Sequence, residues 1–355
     1  MRRAPRTPGR ECNALLLCVL ACALATGTVA GAAPAPTTVT LITVTNMLHT
    51  PEFVAVEKGF FLKHGLNVKF IHTQTGAEAN AAMESGSAQF SDTGVTSVQA
   101  AREAGLKVFM AVPVLNDATT EFGDSPIAAV ARADSGIKPD DARSFTGKKV
   151  GLVRGGTADV WLTTWLTKQG VDLAKVAYLN VEPGSQLVTI QNRNVDAIAT
   201  WEPFQTQILD VMGPQAVLIK RGGPILGYIL GIGATEAYAQ GHGAVIQAMS
   251  DAIAETQFWI RTHPDDAADV VTHWIPGLTP KVASAAIKNI PFDPRVSGCT
   301  YRAFAAATQL LYQQHKIKAL MPAEEQLTDS YVKQTQALYP GLVRDLKPIP
   351  ASCGR

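Results

Sequence analysis

The residues best suited to chemistry stand at the ends of apolar runs. Arg154-Gly155-Gly156-Thr157 follows Val150–Val153 and opens a helical segment. The glycines admit close backbone approach, Thr157 suits a cap, and Arg154 adds a fixed positive charge, so the group would cradle an anion. A solvated arginine beside a turn is the plain alternative. The group is not a P-loop, because no Gly-Lys-Ser/Thr follows at the required spacing. Trp201-Glu202 ends the run Asp196–Thr200, with Pro203 suited to the first turn of the next helix. The indole would stack on a ligand and Glu202 would accept hydrogen bonds from it; otherwise the tryptophan packs and the glutamate caps.

Three more strand ends carry small polar residues: Asn46–Thr50, Thr73–Gly76 and Thr93–Ser97. Such residues favour helix N-caps, and they also let backbone N–H groups and the positive helix end meet a ligand. His49 alone of the seven histidines lies in one of these loops, as a hydrogen-bond donor or an exposed loop residue. No GxSxG, HExxH, CxxC or GxGxxG motif is present, and no histidine is read as pairing with a carboxylate at metal-ligand spacing. Catalysis, a metal and a cofactor are therefore not expected.

These positions need a scaffold. The chain has 355 residues, is 46% hydrophobic and 17% charged, and carries a net charge of +1, which suits two well-buried α/β domains and offers no basic surface for nucleic acid. Arg2, Arg3, Arg6 and Arg10 precede the apolar run Ala14–Ala25, and Ala30-Gly31-Ala32 fits a cleavage site, so residues 1–32 read as an export signal. Lipid attachment at Cys22 competes, although Leu20 fits a lipobox poorly. Three of the five cysteines fall in that signal, leaving Cys299 and Cys353 either bonded, pinning the C-terminal tail, or as two thiols.

From Val39 the pattern is strand, helix, strand. Val39–Val44, a helix carrying Phe53, Val56 and Phe60 or Phe61, and Val68–Ile71 form one βαβ unit. Strands follow at Ala88–Ser91, Val108–Val114, Ile127–Arg132, Val150–Val153, Val176–Leu179, Asp196–Thr200, Val217–Ile219 and Ile225–Gly231. The remainder reads as helical: Ala244–Thr262, Asp265–Trp274, Pro280–Lys288, Tyr301–His315 and Glu324–Leu338. Breaker-rich stretches at Asn116–Pro126 and Arg221–Pro224 divide the chain into a first lobe (33–122 and 226–355) and a second (123–225), a hinge-closing arrangement.

PEFVAVEKGFFLKHGLNVKF, AAMESGSAQFSDTG, GKKVGLVRGGTADVWLTTWLTKQGVD and VDAIATWEPF, in that order, resemble the substrate-binding proteins of ABC importers. The branch is the one that takes up aliphatic sulfonates, taurine, nitrate and thiamine-pyrimidine precursors, and the resemblance runs from Val39 to about Tyr339. It implies a type II periplasmic-binding fold of two Rossmann-like lobes with a helical C-terminal region. It also implies an exported monomer, periplasmic or at the cell surface, that hands a small polar or anionic ligand to a membrane permease and its ATPase. Carried over, the pocket would use Asn46, His49, Thr50, Gly76, Thr93, Gly94, Val95, Thr96, Asn116, Arg154–Thr157, Trp201 and Glu202. Asn46-Met47-Leu48-His49 departs from the sulfonate binders. The cysteine-rich motif of the related eukaryotic pyrimidine synthases is absent, which argues against an enzyme on this scaffold. A sensory module presenting its ligand to a receptor remains the other alternative.

Overall fold

A computed structural model describes residues 35–73 and 76–354; the signal segment, Cys22, Gln74 and Thr75 lie outside the described residues. In chain order, β1 (Thr37–Thr43), α1 (Thr50–Glu57), α2 (Phe60–Lys63), β2 (Leu66–His72), α3 (Gly76–Glu84), β3 (Phe90–Gly94), α4 (Val95–Glu103) and β4 (Val108–Leu115) come first. After a crossing come β5 (Ile127–Arg132), β6 (Lys149–Leu152), α5 (Thr157–Lys168), β7 (Ala177–Asn180), α6 (Pro183–Gln191), β8 (Ala197–Trp201), α7 (Phe204–Met212) and β9 (Ala216–Arg221). The chain returns to β10 (Leu230–Thr235) and ends in α8 (Glu236–Thr262), α9 (Pro264–Trp274), α10 (Pro280–Ala286), α11 (Gly298–Gln313) and α12 (Ser330–Leu338).

The strands form two five-stranded sheets of matching plan, ordered β2-β1-β3-β10-β4 and β7-β6-β8-β5-β9. In each, three strands run parallel, and the strand reached by a crossing (β10 or β5) pairs antiparallel on both sides. These are two Rossmann-like lobes joined by two crossings. Helices cover both faces, so the central strands are buried on both sides and read as continuous apolar runs. Ile127, Ala128, Ala129 and Val130 on β5, for example, are wholly buried.

The C-terminal helices complete the first lobe. Ile246, Met249 and Ile253 of α8 pack on Phe90, Val112 and Ile232 of its sheet. Cys299 in α11 is disulfide-bonded to Cys353, which holds the tail against that helix.

Local chemistry moves several boundaries from the sequence expectation. Gly59 takes a positive φ of 75° and breaks the first helix into α1 and α2. The expected Asp92–Ser97 loop does not exist, since β3 runs to Gly94 and α4 starts at Val95. His242, between two glycines, leaves helical geometry (φ −128°, ψ 27°), and α8 begins before it, at Glu236 rather than Ala244. The expected Glu324–Leu338 helix is a 3-10 turn, Ala323–Glu325, followed by α12. Pro203 stands at the N-cap of α7 rather than inside it.

The expected strand Ile225–Gly231 begins at Leu230. Residues 222–229 are a crossing without strand pairing, turned at Pro224 and Ile225. Gly227 lies so close to α11 that a Cβ there would meet the Ala303 carbonyl oxygen at 2.2 Å.

Candidate functional site

A cavity of about 150 Å³ opens where the two sheets face each other. Gly94, Val95, Thr96 and Ser97 line it from the first lobe, and Gly155, Gly156, Thr157 and Val160 from the second. Leu226 to Leu230 of the return crossing and Ala307 and Leu311 of α11 close it. A few polar groups thus converge within a mostly apolar wall, the usual make-up of a small-molecule site.

Two helices aim their N-termini at this space. α4 follows Gly94 and α5 follows Gly156, both in extended conformation, and neither glycine can supply a capping side chain. First-turn N–H groups lack partners within their own helix, and the macrodipole puts partial positive charge there. Two such ends on opposite walls suit an anionic or strongly accepting group. The α4 end is the more positive, because its first turn holds no acidic residue whereas α5 holds Asp159. Thr157, expected as a cap, is instead the first residue of α5.

Of the residues nominated from sequence, Gly94, Val95, Thr96, Gly155, Gly156 and Thr157 meet at this cavity. Gly76 opens α3, and Thr93 lies on β3 opposite Gly231. Arg154 stands beside the cavity with its charge engaged: Nη1 donates to Asp159 Oδ1 at 2.9 Å, and the guanidinium lies 4.7 Å from the Tyr178 ring. The remaining nominees are not among the residues that line this cavity. Asn46 Oδ1 accepts from Leu48 N at 2.8 Å and Thr50 Oγ1 donates to Met47 O at 2.7 Å. Asn116 Nδ2 donates to Arg295 O at 2.6 Å. Trp201 packs against both lobe cores. Glu202 is fully buried, and its Oε1 accepts from Thr206 (2.9 Å), Arg221 (2.7 Å) and Asn289 (2.7 Å).

His49 is not in an open, ligand-facing loop. It is buried, with Nδ1 2.6 Å from Asp92 Oδ2 and 3.5 Å from Glu52 Oε2. Burial alone would lower its pKa, but the charges and hydrogen bonds of Asp92 and Glu52 outweigh this and raise it to about 10. Burial and the Asp92 charge push Glu52 up as well. The expectation that no histidine pairs with carboxylates at ligand spacing is therefore corrected: His49 and Glu52 are three residues apart, and β3 brings Asp92 to them.

Several lining residues were not nominated from sequence: Tyr228 and its neighbours in the crossing, Ser97, Val160, and Ala307 with Leu311 on α11. Ala307 and Leu311, four apart, are adjacent on one helix face, but nothing local marks that face as ligand-bearing. Burial, with a smaller contribution from the Asp92 charge, raises the Tyr228 phenol and keeps it neutral. Lys316 was also missed. From the turn after α11 its Nζ donates to Gly155 O at 3.3 Å, joining the lobes at the cavity edge. Desolvation lowers its pKa, and Arg154 adds to the lowering while Asp159 opposes it.

A protein of Bacillus subtilis (strain 168) named as an aliphatic sulfonates-binding protein is 23% identical over 291 residues, 80% of this chain and 84% of its own length. Among solved structures, the periplasmic aliphatic sulphonate binding protein SsuA from Escherichia coli is similar with a TM-score of 0.70 at 16% identity, covering 84% of this chain and 100% of that one. The periplasmic nitrate-binding protein NrtA from Synechocystis PCC 6803 gives 0.63 at 16%, covering 91% and 93%. The desulfurization enzyme DSZB shares the fold at 0.62 and 12%, covering 85% and 99%. Among the described residues, no helix is long and apolar enough to cross a membrane. The NMT1/THI5-like family profile matches residues 46–267, more than half of the chain, and this protein belongs to that family.

Proposed function

We propose that this protein is an exported solute-binding protein that encloses a small anionic molecule between its lobes and delivers it to an ABC permease. Residues 33–122 with 226–355 form one closing lobe and 123–225 the other. The observation that carries this reading is the meeting of two glycine-led helix N-termini, one from each lobe, in a single cavity. The names of the Bacillus subtilis relative and the SsuA and NrtA structures agree with it.

The cavity also narrows the ligand. About 150 Å³ is the scale of an apolar cavity that accepts benzene, so the solute is compact. Val95, Leu226, Ile229 and Leu311 would leave a bare oxyanion against hydrocarbon, whereas a short organic sulfonate places its head at the helix ends and its carbons on that wall. A short-chain sulfonate therefore fits better than nitrate. A site whose lining offers helix ends and hydroxyls to hold a ligand supports a binding protein over an enzyme.

Thermal unfolding of the mature chain, beginning at Ala33, tests this with methanesulfonate, a longer alkanesulfonate, nitrate, a pyrimidine and a small aromatic carboxylate. A ligand present at a hundred times its dissociation constant adds about 2.7 kcal/mol. Stabilisation by the sulfonates above the others is expected. Stabilisation only by the pyrimidine would overturn the ligand class, and turnover of a bound sulfonate over a long incubation would overturn the binding-only role.

A further inference from the structure

Where the turn after β1 meets β3, three ionisable side chains converge in the interior. We propose that His49, Glu52 and Asp92 form a site for one divalent transition-metal cation of the zinc type. Each offers a ligand atom, and these atoms lie within 4.8 Å of one another. The pairs that involve the histidine are tighter, with Nδ1 2.6 Å from Asp92 Oδ2 and 3.5 Å from Glu52 Oε2. Relative exposures are 4% for His49, 0% for Glu52 and 4% for Asp92, so water does not complete the cluster from outside.

A second observation points to a missing partner. Asp92 Oδ1 is buried and makes no hydrogen bond, and buried Glu52 Oε2 has only the long 3.5 Å contact to His49 Nδ1. Buried polar atoms are paired as a rule, and orphaned ones mark an absent water or ion. In the metal-free cluster protons on His49 and Glu52 hold the charge down, and a bound metal ion would take their place. A dication balances both carboxylates with the imidazole neutral.

The donor set selects the kind of cation. One imidazole nitrogen with two carboxylate oxygens is a zinc-like set with a fourth position open, whereas calcium takes six to eight oxygens and magnesium keeps several waters. The ligands are held by rigid elements. His49 ends a 3-10 turn whose Met47 and Leu48 are buried, Glu52 lies in the first turn of α1, and Asp92 lies within β3. Thr43 Oγ1 donates to Glu52 Oε1 at 3.3 Å, the outer hydrogen bond that orients a ligating carboxylate. A cation here would fasten α1 to β3 next to the cavity. The site is independent of the sulfonate reading.

The test uses the full mature chain, stripped with a chelator and desalted, at pH 7.5. Zn²⁺ is titrated calorimetrically, retained metal is measured by elemental analysis, and Co²⁺ replaces Zn²⁺ to record visible absorption. About one Zn²⁺ per chain is expected to survive desalting, with a rise in melting temperature and a Co²⁺ spectrum of low coordination number. Glu52→Gln and Asp92→Asn should each weaken binding at least about tenfold. Exposed histidines such as His242 and His273 bind zinc weakly in the variants and wild type alike, so they set the background. Absence of tight binding by the wild type, or equal binding by a folded Glu52→Gln chain, overturns the proposal.

Discussion

Asp124 ties the two crossings together through one carboxyl group. It lies in the first crossing, buried, and its Oδ2 accepts from Trp161 Nε1 of α5 and from Leu226 N of the second crossing, both at 3.1 Å. Burial outweighs these hydrogen bonds and lifts its pKa from 3.8 to about 6. A carboxyl raised on folding contributes stability that is complete below about pH 4 and lost as pH rises through about 6. The loss is about 3 kcal/mol. Asp124→Asn keeps an acceptor without the charge, so it should match wild type at pH 4 and exceed it in urea unfolding at pH 7.5. A pH-independent difference would contradict this. Glu202 is the contrasting case. It looks like a ligand group from its place at a strand end, yet its partners Arg221 and Asn289 lie far along the chain, and only folding brings them to it. Glu202→Ala should cost about 3–5 kcal/mol, the penalty for breaking a buried ion pair. The affinity of the folded fraction should stay unchanged; a selective loss of affinity would return Glu202 to the binding site.

At the scale of elements, the crossing 222–229 and the C-terminal tail carry the sharpest consequences. Gly227→Ala would force a methyl against the Ala303 carbonyl and shift the cavity wall, destabilising by roughly 1–3 kcal/mol as overpacking does. Urea unfolding checks this, and a silent substitution would show that the crossing moves freely. The Cys299–Cys353 bond closes a long loop, its partners being 54 positions apart in sequence. In the chain-entropy description it stabilises by about 4 kcal/mol. Cys299→Ser with Cys353→Ser should lose that amount and free the tail to proteolysis before the lobes unfold. Much of this scale was legible beforehand. The central strands are apolar runs because both their faces are covered, and β5 was read to the residue. What escaped depended on distant contacts. Ile225–Gly231 is as apolar as any strand, and only Ala303 reveals that its first half is a packed crossing. The glycine-led starts of α4 and α5 were visible, but the residues that close the cavity opposite them come from α11, whose sequence reads as an ordinary amphipathic helix.

For the whole molecule, the proposed function rests on the closing of two lobes over one cavity, and such closure would need contacts that form only when the lobes meet. Lys316 makes one of them. It projects from the turn after α11, exposed to solvent, and donates to Gly155 O at 3.3 Å, beside the Gly156 and Thr157 that start α5. Its positive charge lies against Gly155, which lines the cavity, so it would favour both the closed state and an anion nearby. An exposed hydrogen bond of this kind adds little to folding, and its charge is screened by salt. Lys316→Ala should therefore leave the melting temperature of the ligand-free chain unchanged, within about 1 °C by the usual effect of a surface substitution. It should weaken sulfonate binding about three- to tenfold, on the scale of one lost hydrogen bond, chiefly through faster dissociation. The difference should shrink as salt is raised from 0.01 to 0.5 M, because the Debye length falls from about 30 Å to a few ångströms. Small-angle scattering adds the structural half: wild type should contract on binding, and the variant should need more ligand for the same contraction. If Lys316→Ala binds as tightly as wild type at low salt, the contact is incidental, and closure depends on the helix ends and the apolar wall alone.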